Sequence, residues 1–141
     1  MKAMIRTLLF VISSAVALMS VNAVAADVTA KGSFSAAFSS WGKKSVSGDW
    51  KVVKEGGKTY LELADNFVAK SGPDVKFFLS PTAADKVTGT NATNGSVFLV
   101  QLDKYEGKMR IEIPSSVDLS KFKSVVVHCE EYSKLWGTSP L

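Results

Sequence analysis

The sequence contains one histidine, His128, and one cysteine, Cys129, and these two scarcities exclude most familiar site chemistry. A zinc site built from several histidines or cysteines has no ligands to draw on. An intramolecular disulfide has no second half, and covalent c-type haem attachment has no C-x-x-C-H to use. No H-E-x-x-H, C-x-x-C, P-loop or G-x-G-x-x-G pattern is present. Glu130 and Glu131 are adjacent, so an extended strand would send them to opposite faces, and they make no ready glycosidase pair. With no acid–base or nucleophile set in view, turnover of its own is not expected of this chain. Arginine is scarce too. Beyond residue 25 the only one is Arg110, and the lysines are scattered singly. Nucleic-acid binding, which needs clustered positive charge to displace counterions, is therefore not expected.

The one long apolar run lies at the start. Lys2 and Arg6 are the only charges before Asp27, and residues 8–21 are apolar except for three serines. The run ends in Ala23-Val24-Ala25, a small-x-small pattern. A basic head, an apolar middle and such an ending make a secretory signal peptide over residues 1–25. A membrane anchor would need roughly 20 unbroken apolar residues, more than this run has. The expectation is a cleaved leader and a soluble periplasmic or secreted domain over residues 26–141, with no transmembrane segment. Without Lys2 and Arg6, fifteen basic residues face thirteen acidic ones, a net charge of +2. The high pI of the whole chain, about 9.2, is thus partly a property of the leader. The remaining 116 residues suffice for one domain with one core.

Sustained helical periodicity is missing as well. Short runs rich in Val, Ile, Phe, Tyr and Trp alternate with Gly, Pro, Asn and Asp clusters, the signature of strands and turns. Candidate strands cover 32–38, 45–53, 59–63, 67–70, 74–80, 96–102, 108–113 and 124–129. Met109-Arg110-Ile111-Glu112-Ile113 alternates cleanly, apolar side chains to one face and charged ones to the other. In 45–53, Val46, Trp50 and Val52 share a face with Gly48, which marks a bulge or a close contact. Gly56-Gly57 fits a tight hairpin turn, and residues 81–95 form one long polar loop with a single helical turn near 82–86. These features predict an all-β fold, an antiparallel β-sandwich or flattened barrel of about eight strands.

Cys129 is the oddity. Exported proteins meet an oxidising space, where cysteines usually pair. One reading makes it a buried small hydrophobe, facing inward with Val125 and Val127. The other makes it a redox thiol or a single axial ligand to haem or metal. His128 and Cys129 point to opposite faces of a regular strand, so they cannot jointly hold one metal without a bulge. Tyr132 and Trp136 follow closely and fit either packing beside the sulfur or walling a flat ring system.

Several segments resemble the DM-thirteen domain, also called the electron-transfer DM-thirteen domain. They are Ser47-Gly48-Asp49-Trp50, then Leu61-Glu62-Leu63 running to Asp65-Asn66-Phe67, and Ser71-Gly72-Pro73-Asp74-Val75-Lys76-Phe77-Phe78-Leu79-Ser80. Ile113-Pro114, Val117-Asp118-Leu119 and Phe122 follow, and the match closes on Val125-Val126-Val127-His128-Cys129-Glu130 and Trp136-Gly137-Thr138-Ser139-Pro140-Leu141. The resemblance implies extracytoplasmic electron transfer, with the family's cysteine falling on Cys129 as a redox thiol or as a ligand to a group such as haem. His128, Tyr132 and Trp136 are the secondary candidates for cofactor binding. Two positions depart from the usual pattern: His128 stands where an aromatic is common, and Lys44 where a histidine is. An unidentified redox or envelope protein is the implied partner. The alternative is a binding or interaction module in which Cys129 is only packed.

Overall fold

A computed structural model describes residues 20–36 and 45–141. Most of the leader assigned to residues 1–25 lies outside the described residues, as do positions 37 and 38 of the expected opening strand. Among the described residues there are eleven strands and two short 3-10 turns, and no helix long and apolar enough to cross a membrane.

Two antiparallel sheets face each other. The first joins β1 (Asp27–Ser33), β4 (Asp49–Glu55), β5 (Lys58–Leu63) and β9 (Met109–Ile113) in the order β1-β4-β5-β9. The second runs β2-β11-β10-β7-β8, from β2 (Ser35–Ala36), β11 (Lys134–Pro140), β10 (Ser124–Cys129), β7 (Val75–Ser80) and β8 (Val97–Gln101). A two-stranded pair, β3 (Val46–Ser47) with β6 (Val68–Ala69), stands beside them. The sheets do not close, so the fold is the sandwich and not the barrel.

Alternation explains the first sheet. Trp50 and Val52 on β4, Leu61 and Leu63 on β5, and Ile111 and Ile113 on β9 are buried. The residues between them carry the charges of the outer face. The strand 109–113 thus lies as its sequence dictates. Phe34, Phe67 and Phe77 fill the centre, their ring centroids 5.7–5.9 Å apart. Burying each such ring contributes roughly 1.5–3 kcal/mol.

The second sheet is covered on both faces. Val125, Val127 and Cys129 of β10 face the main core, while Phe78 and Val126 meet Val87 and Ala92 of the 81–96 loop in a smaller cluster. Ser124 Oγ donates to the Thr82 carbonyl (2.8 Å) and Thr138 Oγ1 to that of Ala84 (3.1 Å), tying the loop down. A strand buried on both sides reads as a continuous apolar run, as Ser124–Cys129 does.

Three expectations are corrected. The stretch 45–53 is not one strand. Gly48 takes φ +110° and divides it, because a Cβ there would lie 2.5 Å from the Phe67 Cα. Val46 consequently belongs to a different strand pair from Trp50 and Val52. The opening strand begins earlier than 32, at Asp27, despite a polar sequence. Finally, Lys134–Pro140 forms a seven-residue strand, β11, between β2 and β10 in the second sheet. Its Gly137 and Pro140 disguise it. Gly137 is required because a Cβ would lie 2.3 Å from Val46 Cγ1, and Pro140 ends the strand. The tight turn at Gly56 and Gly57 forms as expected, both at positive φ.

Candidate functional site

Cys129 is the last residue of β10, with Val75 of β7 opposite on one side and Lys134 of β11 on the other. It is fully buried and unpaired, part of the main core with Val75, Val127 and Trp136. Immediately beyond it the chain turns through four exposed residues, 130–133, with Ser133 at φ +48°.

The turn is tethered to the start of β7. The Glu130 amide donates to the Asp74 carbonyl (3.1 Å), and the Glu131 amide to Asp74 Oδ2 (3.1 Å). Lys76 Nζ sits between Asp74 Oδ1 (3.0 Å) and Glu130 Oε2 (2.7 Å), and these two carboxylates hold its pKa above the ordinary lysine value, Glu130 contributing most. Gly89 presses on the same turn from the loop side, since a Cβ there would lie 2.1 Å from the Ser133 carbonyl oxygen. Sequence reasoning missed this cluster. Asp74 and Lys76 show as two same-face residues of one strand, but Glu130 joins them only through the β7–β10 register.

The four sequence candidates do not converge. His128 turns to the opposite face from Cys129, across from Lys76 and beside Phe78, their ring centroids 6.4 Å apart. It is 2 % exposed, and its Nδ1 has no hydrogen-bond partner. Burial pushes its pKa down, against the pull of Glu130, the Lys134 backbone and Asp74. The ladder shift between Val127 and His128 falls on the β11 side and does not bring the ring round to the sulfur. Trp136 shares the core with Cys129, and its Nε1 donates to the Lys70 carbonyl (2.8 Å). Tyr132 is 57 % exposed in the turn.

A thiolate-ligated haem needs a cleft beside the sulfur wide enough for the macrocycle. Around Cys129 are close-packed core side chains, and the only histidine faces the other way. The residues as arranged do not fit a haem on Cys129. No group of three or more His, Cys, Asp or Glu side chains among the described residues is arranged to hold a metal ion.

An antiparallel sandwich with one sealed thiol at a strand end defines a small β module. Comparison with known families goes further: the family model described as "Electron transfer DM13" matches residues 37–141. The chain belongs to the electron transfer DM13 family. No curated protein and no solved structure matches it.

Proposed function

We propose that the protein is an exported electron-transfer module whose redox-linked group is the Cys129 thiol, uncovered when the β10–β11 end opens. The observation that carries the reading is the position of that thiol. In a chain of an electron-transfer family, the sole sulfhydryl occupies the last rung of its strand, one residue from an exposed turn. A lone thiol works with a partner. Its thiolate attacks one sulfur of a partner disulfide, forms a mixed disulfide and releases the other sulfur as a thiolate. The basic head, apolar middle and Ala23-Val24-Ala25 ending of residues 1–25 support export.

Native-state labelling of Cys129 tests the reading. We expect reaction with a thiol reagent faster than global unfolding allows, and a mixed disulfide with a partner that Cys129→Ser does not form. Labelling no faster than global unfolding, with electron transfer unaffected by Cys129→Ser, would sink it.

A second reading is favoured by the zero exposure of the sulfur: a binding module of the same family in which Cys129 is only packed. In that case Cys129→Ala leaves partner binding and electron transfer intact.

A further inference from the structure

The loop of residues 81–96, whose Val87 and Ala92 pack on Phe78 and Val126, carries two of the four asparagines of the chain. The structure treats the two in opposite ways. Asn91 is held at both ends of its amide. Its Oδ1 accepts from the Thr88 N–H (2.7 Å) and its Nδ2 donates to the Lys86 carbonyl (3.0 Å). The residue after it, Ala92, is fully buried. Asn66 is held likewise, its Oδ1 accepting from the Asp49 N–H and its Nδ2 donating to the Asp49 carboxylate, both at 2.9 Å. Fully buried Phe67 follows it. Asn22 lies in the expected leader, before Ala23.

Asn94 stands apart. It is exposed, and its side-chain amide has no hydrogen-bond partner among the described residues. Gly95, also exposed, follows it. The pair forms the corner of a turn closed by the Ser96 N–H donating to the Thr93 carbonyl (3.2 Å), with Gly95 at φ +65°. The Gly95 N–H, which lies between Asn94 and Ser96 in the chain, donates to nothing among the described residues. Glycine suits the positive φ, and its missing Cβ leaves its nitrogen open to approach and its backbone free to rotate. An amide without ties and an unbonded, unhindered backbone nitrogen therefore stand side by side.

We propose that Asn94 is a site of spontaneous covalent modification, closing on Gly95 to a succinimide that opens to isoaspartate and aspartate. Asparagine is among the chemically labile residues, and its lability depends on what its amide can reach. The Gly95 nitrogen, after losing its proton to hydroxide, attacks Asn94 Cγ. A new N–Cγ bond forms, the Cγ–Nδ2 bond breaks, and Nδ2 leaves as ammonia with a proton from water. Water then adds to either imide carbonyl. One opening gives aspartate, and the other reroutes the backbone through Cγ as isoaspartate. Both put a negative charge on the loop, and isoaspartate adds a methylene to the backbone of the turn. The site is independent of the role proposed for Cys129.

Incubation of the folded protein in mildly alkaline buffer, followed by peptide mapping by mass spectrometry and enzymatic labelling of isoaspartate, tests this. The expected result is an asparagine-to-acid mass shift, with isoaspartate, in the peptide holding Asn94. Its rate should rise with pH, because the attacking nitrogen must first lose its proton. The peptides holding Asn66 and Asn91 should keep their mass. Asn94→Gln, whose ring would be six-membered, should abolish the label at this position and leave the thermal midpoint unchanged, as the side chain is exposed and makes no hydrogen bond. The same chain held unfolded in urea supplies the reference rate. An Asn94 that converts there but keeps its amide in the folded protein would overturn the proposal, as would aspartate formed without isoaspartate.

Discussion

Replacing Cys129 by serine exchanges a sulfur that packs as a small hydrophobe for a hydroxyl that needs a partner. The side chain is fully buried among apolar neighbours, so an unsatisfied hydroxyl there should destabilise the fold by about 1–3 kcal/mol. Denaturant melts of Cys129→Ser and Cys129→Ala will separate this from cavity formation. Any functional comparison should therefore include the alanine variant. His128 gives a second expectation at this scale. Its folded pKa lies below the ordinary value of about 6.5 because burial disfavours the imidazolium. Glu130 and Asp74 pull the other way and Lys76 assists burial. Since the unfolded chain then binds the proton more readily, the stability from His128 is complete above about pH 6.5 and is lost as pH falls towards the folded pKa. In His128→Phe that part of the acid limb should flatten, as measured by urea midpoints between pH 7 and the acid limb.

Among the elements, the hairpin end formed by β10, residues 130–133 and β11 has an uneven hold. Behind it lie fully buried valines. Beyond it the contacts are polar ties to Asp74 and Lys76 at partly exposed positions. Such ties contribute little each and weaken in salt, so this end should open before the sandwich does. Lys76→Met removes the cation between two carboxylates. Amide exchange over residues 130–135 and labelling of Cys129 should then speed up several-fold, with the global denaturation midpoint nearly unchanged. Exchange that stays tied to global unfolding would show the end to be as firm as the core. Gly48 offers the contrasting case of an element fixed by backbone geometry. At φ +110° with Phe67 Cα in the way, Gly48→Ala should destabilise by at least about 1–3 kcal/mol from backbone strain alone.

For the whole molecule, alternation and turn chemistry carried the reading as far as local rules reach. Residues 109–113 and 124–129, and the Gly56-Gly57 turn, were legible because their burial pattern and positive φ are written in neighbouring residues. The strand β11 was not, because its justification lies elsewhere in the chain. Gly137 suits a strand only because Val46 and the Ser35 carbonyl crowd it, and Ser139 is buried only because both sheets close over it. The site was legible to the same depth. Opposite facing of His128 and Cys129 follows from strand geometry, whereas the Lys76 cluster needs the register between distant strands. This makes β11 a sharp test of how the sandwich is held. It lies between β2 and β10 and brings Trp136 against the core. Removing residues 134–141 would strip the backbone partners from one side of β10, whose side chains are buried on both faces. Unpaired backbone groups buried in that position are strongly unfavourable. The truncated chain should show no cooperative thermal transition by circular dichroism, whereas removing the exposed residues 20–26 should leave the midpoint nearly where it was.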